Sequence, residues 1–170
     1  SRVTRRLLGL LLLWFVSLAG TAGILTVEPD ASRQNLSDTV RYISSDQNTP
    51  AREVASVPDE QWQTAPGEIN LGYTRAPHWF RFTLKNPSNQ ELERLVELEY
   101  PLLDFVDFYR LTDNQSPELI SSTGDHRPFN SRMYEHKHFV FPVEVPANGE
   151  STFLLRVQTG GAMQVPLNLW

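Results

Sequence analysis

The stretch that decides the fold class is PHWFRFTLKNPS, residues 77–88, in which large apolar and polar residues alternate up to an Asn-Pro turn. A period of two is typical of a half-buried β-strand, because successive side chains point to opposite faces of a sheet. Phe80, Phe82 and Leu84 then face a core. Trp79 and Arg81 share the other face, and a tryptophan exposed beside an arginine indicates where a binding face could lie.

The same alternation recurs beyond this strand and predicts an all-β fold. Turn signals such as Pro146–Gly149 separate the alternating runs, and we expect residues 139–145 and 153–157 to pair across that turn as a hairpin. Seven or so short strands with little helix are typical of an antiparallel β-sandwich, and we predict a jelly roll. The remaining alternating runs are 39–44, 95–100, 104–111 and 163–169.

Only one short helix is expected, near residues 50–57. Thr49 is a plausible N-cap ahead of Pro50, and Pro58 would end the helix. The segment 104–111 is ambiguous, since either register buries a carboxylate unless that residue lies at a strand end.

The N-terminus has the pattern of an export signal. Three arginines, Arg2, Arg5 and Arg6, precede an uncharged apolar run from Leu7 to Leu25. Small residues near Ala22 favour cleavage there, which makes residues 1–22 a signal peptide. The alternative is an uncleaved membrane anchor, because the run is just long enough to cross a bilayer. We expect residues 23–35 to be a linker and 36–170 a single domain.

Composition restricts the class of partner and the compartment. The formal net charge is −5, and it becomes more negative once the N-terminal arginines are removed. No cluster of Lys and Arg is available to neutralise phosphates, so nucleic acid is not an expected partner. The chain contains no cysteine. An exported domain that relies on its core alone fits the bacterial periplasm better than a small secreted eukaryotic module.

Three segments in order carry a resemblance to a known family: LGY at 71–73 leading into the strand at 77–86, YPLLDFVDFY at 100–109, and TGDHRPF at 123–129. Over residues 36–170 the chain resembles the type-2 extracellular sensory domain of bacterial seven-transmembrane receptors with diverse intracellular signalling modules. The resemblance implies a jelly roll similar to carbohydrate-binding modules, set between a signal peptide and a seven-helix membrane region. It also implies a cytoplasmic kinase, diguanylate cyclase or phosphodiesterase.

The chain departs from that family pattern at its end. It stops at Trp170, where the family would continue into a first membrane helix. We expect the sequence to be a fragment of a receptor, and the alternative is a soluble relative without its own output module.

Two groups of residues are candidates for ligand binding. Carbohydrate recognition requires flat aromatic faces rimmed by polar groups, which Tyr73, His78, Trp79 and Arg81 could supply. The alternative is that Trp79 is a structural residue.

The second group lies in the polar loop at 121–137 and comprises Asp125, Arg127, Arg132 and Tyr134. Its arginines could hold a carboxylate or phosphate bidentately. Pairing of Asp125 with Arg127 on a solvated surface is the competing interpretation.

Metal binding, cofactors and catalysis have little support. His136 and His138 are too few for a closed metal site, and no loop has the acidic spacing of a calcium site, so we predict no metal and no cofactor. Calcium is the alternative that the twenty carboxylates leave open. Glu97 and Glu99 could be imagined as a glycosidase pair, but we expect both on an exposed face. No nucleophile elbow or phosphate-binding loop is present in the sequence, and we predict a non-enzyme.

The sequence therefore predicts a periplasmic ligand-sensing domain of a membrane receptor, with a small, saccharide-like ligand and attachment to the inner membrane through a C-terminal seven-helix region. The first alternative is a non-catalytic module that binds another periplasmic protein. An exported hydrolase is a distant third.

Overall fold

Strands dominate the residues that the computed structural model describes, which are 23–65, 67–124 and 138–170. These ranges contain thirteen strands, the α-helix α1 (Ala51–Ala55) and a 3-10 helix (Asp59–Gln61). The strands are β1 (Ile24–Thr26), β2 (Gln34–Asn35), β3 (Arg41–Ser44), β4 (Gln63–Thr64), β5 (Asn70–Tyr73), β6 (His78–Asn86), β7 (Leu92–Leu98), β8 (Phe105–Leu111), β9 (Pro117–Thr123), β10 (Phe139–Val145), β11 (Gly149–Gln158), β12 (Ala162–Gln164) and β13 (Leu167–Leu169). Among these residues, no helix has the length and hydropathy that crossing a membrane requires.

Two sheets account for most of the strands. The large sheet has the order β4-β3-β6-β11-β8-β9, and β1 adds to the edge of β6 in parallel. The small sheet has the order β10-β7-β13-β2, and β12 and β5 form a separate antiparallel pair. Every other pairing in the two main sheets is antiparallel.

The core lies between the two sheets. Phe108 of the large sheet stacks on Phe141 of the small sheet, with ring centroids 4.5 Å apart, and also on Phe153 of β11 at 5.4 Å. Phe80 and Phe82 are fully buried, as the alternation of residues 77–88 predicts. The all-β sandwich with one short helix near residues 50–57 is therefore confirmed.

The hairpin predicted across Pro146–Gly149 is wrong. β10 pairs with β7 in the small sheet, whereas β11 pairs with β6 and β8 in the large sheet. Both strands carry a largely apolar face, and they bury these faces from opposite sides of the core. The chain crosses from the small sheet to the large sheet after β10. The buried Asn86 side chain stabilises this connection by donating hydrogen bonds to the carbonyl oxygens of Val145 and Pro146.

The linker predicted for residues 23–35 is part of the sandwich. β1 pairs with β6, β2 pairs with β13, and Val27 between them is fully buried. Ile24 and Leu25 of β1 stand at the end of the apolar N-terminal run, so the sequence pattern did not mark them as a strand of the domain. The helix is also shorter than predicted: Pro50 rather than Thr49 is its N-cap, and it ends at Ala55 with Ser56 as its C-cap.

Candidate functional site

The outer face of the large sheet is covered by a helical cap, which we define as residues 51–62. The cap contains α1 and the 3-10 helix, and its apolar residues Val54 and Trp62 pack onto the sheet. They form a second hydrophobic cluster, separate from the main core. Its buried members are Val54, Trp62, Trp79, Leu111 and Leu154.

Trp79 lies beneath this cap and is only 1% exposed. Its indole Nε1 donates a hydrogen bond to Ser45 Oγ at 2.9 Å, and its ring lies 5.9 Å from that of Tyr109. The prediction that this tryptophan is exposed is wrong, because a helix and a second tryptophan, Trp62, cover the strand face that alternation marks as polar. A covered indole is unable to offer its ring to a sugar while the cap stays in place.

Arg81 lies next to Trp79 on the same face and is held by the cap. Its guanidinium lies over the ring of Trp62, 4.4 Å from the ring centroid, and forms an ion pair with Asp59. The Arg81 side chain is 18% exposed, whereas that of Asp59 is 89% exposed. Arg81 is therefore a largely buried cation whose carboxylate partner, Asp59, is exposed to solvent.

The other two residues of the first predicted group lie elsewhere. Tyr73 is 86% exposed on β5, in the separate two-stranded sheet. His78 is buried at 8% exposure, and its Nδ1 lies 2.9 Å from the carbonyl oxygen of Ala76. Alternation places His78 on the core side of β6, opposite to Trp79. The structure thus does not assemble these four residues into one site, and a ligand role for Tyr73 stays a prediction.

The second predicted group lies outside the described residues. Asp125, Arg127, Arg132 and Tyr134, together with His136, belong to the range 125–137. Their role in binding a ligand stays a prediction. Within the described ranges, no group of three or more His, Cys, Asp or Glu side chains is arranged to hold a metal ion.

A cleft of about 630 Å³ opens between the helical cap and the end of β3. Polar groups predominate along its walls, and aliphatic side chains of the sheet and of α1 supply the rest. Its lining includes Ser44, Ser45, Asp46, Thr49, Glu53, Gln61 and Gln63, with Ile43, Val54 and Val57. Ser45 connects the cleft to the buried Trp79 through the hydrogen bond described above.

No pattern in the sequence predicts this cleft. Its residues come from the turn after β3 and from the cap, which are adjacent in the fold but have no shared periodicity. The one available signal was the polar turn at residues 45–48, which follows a predicted strand directly.

The outer face of the small sheet contains a network centred on Glu97. The carboxylate accepts a hydrogen bond from Trp170 Nε1 at 3.0 Å and lies 3.3 Å from His138 Nδ1. Glu99 pairs with Arg33 at 2.8 Å and accepts a hydrogen bond from Asn168. Glu97 is only 9% exposed, so the prediction that it lies on an exposed face is wrong. Neighbouring strands β10 and β13 supply side chains that enclose it.

Burial of Glu97 raises its pKa, but the hydrogen bonds with Trp170 and His138, together with the charge of His138, help to lower it further than burial raises it. The net effect holds the pKa of Glu97 below its ordinary value of 4.5. The ionised carboxylate therefore stabilises the fold above that value, and the stabilisation is lost as the pH falls through the folded-state pKa.

Glu97→Gln is expected to lower the free energy of unfolding at neutral pH by about 1 kcal/mol. It should also make the loss of stability in acid less steep, because one carboxylate with a lowered pKa is gone. Urea unfolding measured from neutral pH to below the ordinary pKa checks this. The matched control is Glu93→Gln, at an exposed position of the same strand. Equal acid profiles for the two variants would contradict the expectation.

Comparison with known proteins gives one family. The family model described as 7TMR-DISM extracellular 2 matches residues 37–170. No curated protein matches the chain. Among solved structures, one described as a novel family GH115 4-O-methyl-α-glucuronidase with specificity for decorated arabinogalactans aligns at 16% identity and a TM-score of 0.34. The alignment covers 61% of this chain and 14% of that one, and at this TM-score the likeness supports no inference.

Proposed function

The chain belongs to the 7TMR-DISM extracellular 2 family, and from that premise we propose that it is the periplasmic ligand-sensing domain of a bacterial membrane signalling receptor. Its ligand is a carbohydrate or a related small molecule. The receptor attaches it to the inner membrane through a seven-helix region. A kinase or a cyclic-di-GMP enzyme in another part of the receptor supplies the output.

The observation that carries this proposal is the cleft beside the helical cap. At about 630 Å³ it falls within the range of roughly 300–1,000 Å³ that is usual for small-molecule sites. Hydroxyl, amide and carboxylate groups line it, and these groups are the ones that bind the hydroxyls of a sugar. The aliphatic side chains of Ile43, Val54 and Val57 provide apolar surface for the C–H side of such a ligand.

Signalling requires that the ligand bind one conformation better than another. The cap supplies an element that could differ between two such conformations. It is short, it packs on the sheet mainly through Val54 and Trp62, and it forms one wall of the cleft. A ligand that bridges the cap and β3 would stabilise the closed arrangement, and the population would shift toward it.

A thermal-shift screen against periplasmic sugars, peptidoglycan fragments and organic acids tests the proposal. A ligand at 100 times its dissociation constant adds about 2.7 kcal/mol to the free energy of unfolding, which is easily detected. We expect a saturable stabilisation that the double variant Gln61→Ala, Gln63→Ala reduces, because both side chains line the cleft.

Gln90→Ala is the matched control, since Gln90 is exposed in the connection between β6 and β7. A ligand whose affinity is unchanged by the cleft variants but lowered by Gln90→Ala would contradict the site. No stabilisation by any compound would favour the alternative function, a non-catalytic module that binds another envelope protein.

We propose no catalytic role. The two carboxylates that could be imagined as a glycosidase pair are engaged with neighbouring side chains, Glu97 with Trp170 and His138, and Glu99 with Arg33. Neither faces the cleft. An exported hydrolase is therefore the least supported of the three hypotheses.

A further inference from the structure

A second, smaller pocket lies on the same face of the large sheet, under the part of the cap that contains the 3-10 helix. Its volume is about 210 Å³. That is below the usual range for drug-sized ligands, so its occupant is small. Its lining consists of Gly23, Ile24, Arg41, Asp59, Arg81, Thr83, Gln115 and Thr152.

Two arginines face this pocket from adjacent strands. Arg41 of β3 and Arg81 of β6 are register partners in an antiparallel pair, so their side chains leave the sheet on the same side. Like charges directly opposite each other are unfavourable in a sheet. Toward the described residues, Arg41 donates through Nη1 to the carbonyl oxygens of residues 38–40. In the part of the chain that the structure describes, Asp59 is the carboxylate that pairs with Arg81, and it lines the pocket together with both arginines.

Asp59 is a weakly held partner. Its side chain is 89% exposed, and ion pairs with an exposed member contribute little to stability because water and salt screen them. Arg81 is held much more firmly, because the ring of Trp62 fixes its guanidinium plane. A fixed guanidinium is suited to bidentate binding of a carboxylate.

Hydroxyl groups complete the pocket. Thr83 and Thr152 are register partners on β6 and β11, and their Oγ1 atoms lie 2.7 Å apart. Gln115 adds an amide at the rim. These groups could bind the hydroxyls of an acidic sugar or the second polar group of an organic acid.

We propose that Arg81 and Arg41 form a carboxylate-binding site that Asp59 of the same chain occupies in the free protein. An external carboxylate, from a uronic acid or a small organic acid, displaces Asp59 and thereby breaks the ion pair between the 3-10 helix and the sheet, while Trp62 stays packed. The proposal rests on the proposed sensing function only in that the chain binds a small molecule beside the cap. Beyond that function, it specifies that the ligand is negatively charged and that its binding breaks the contact between Arg81 and Asp59.

The test is a titration followed by NMR, with the indole N–H signal of Trp62 as reporter and with galacturonate, galactose and succinate as probes. We expect galacturonate to bind and galactose to bind more weakly. Asp59→Asn should raise the affinity for galacturonate about two- to fivefold, because it removes a competitor worth about 1 kcal/mol or less. Arg81→Gln should lower that affinity about 10- to 100-fold.

Glu60→Gln is the matched control for Asp59→Asn, since Glu60 is the next residue of the same 3-10 helix and is also exposed. Equal gains in the two variants would show a general charge effect and overturn the proposal. Because Asp59→Asn leaves Arg81 in place, the test holds even if Arg81→Gln fails to fold. Binding of succinate tighter than that of galacturonate identifies organic acids as the source of the carboxylate.

Failure of this inference and failure of the proposed function give different results. Binding of galacturonate or galactose that is insensitive to both Arg81→Gln and Asp59→Asn overturns the arginine site and leaves a saccharide sensor. Absence of binding by either acid, while a neutral compound from the wider screen stabilises the protein, also overturns only the arginine site. Absence of any stabilising compound overturns both.

Discussion

Replacing Trp79 with alanine is expected to lower the free energy of unfolding by about 3–5 kcal/mol, the range for truncating a large buried aromatic residue. The indole is 1% exposed, joins the cluster that holds the cap, and donates its N–H to Ser45. Its loss would leave a cavity under the cap and remove the hydrogen bond that Ser45 Oγ accepts, although this hydroxyl would still donate to the carbonyl oxygen of Asp46. Urea unfolding followed by far-UV circular dichroism measures the change.

Tyr73→Ala is the control for this prediction. Tyr73 is 86% exposed, so its truncation should change the free energy of unfolding by no more than about 0.5 kcal/mol. A small effect of Trp79→Ala on stability, combined with loss of ligand binding, would contradict the structure and restore the sequence-based interpretation of Trp79 as a ligand platform. A large loss of stability would show that Trp79 is a core residue of the hydrophobic cluster beneath the cap.

Gly124→Ala is the second substitution with a large expected effect, about 2–5 kcal/mol of lost stability. Gly124 has φ +135°, a backbone conformation that L-residues rarely adopt. A Cβ there would lie 2.1 Å from the carbonyl oxygen of Asp104 and 2.8 Å from Cα of Phe105. Because both atoms belong to the backbone, no side-chain rotation relieves the contact, and the start of β8 must move.

The control is Gly72→Ala, which separates the effect of the positive φ from the effect of the steric clash with the Asp104 backbone. Gly72 also has a positive φ, +64°, but among the described residues other than its two chain neighbours no heavy atom lies within 4 Å of the Cβ position. It should cost only about 1–2 kcal/mol. Thermal unfolding of both variants measures the difference, and a loss at position 124 no greater than that at position 72 would show that the close approach to Asp104 is absent in solution.

Much of the candidate site was beyond prediction because its parts are distant in sequence. Arg81 was predicted correctly to lie on the outer face of its strand, since alternation fixes the direction of a side chain. Its partners were not predictable: Asp59 and Trp62 come from a cap with no periodic pattern, and Arg41 becomes its neighbour only through strand register.

For residues 104–111 as well, the sequence limited the possibilities and the tertiary structure decided between them. Alternation left two possibilities, each of which buried a carboxylate. In the structure Asp107 is buried at 9% exposure on the outer face, where Ser122 donates a hydrogen bond to it and Arg156 lies 4.0 Å away. Asp104 precedes β8 and accepts a hydrogen bond from the backbone of Gly160. Partners on β9 and β11 make the burial of Asp107 tolerable, and no local pattern could reveal them.

The sequence by itself determined the all-β class, the position of most strands, the short helix and the family, because alternation and turn residues act over a few neighbouring positions. Tertiary structure alone decided that β10 and β11 enter different sheets, that residues 23–35 complete both sheets, and that a cap buries Trp79. Each of these outcomes depends on which apolar faces meet across the core, and that choice is made by the whole set of strands together rather than by any one of them.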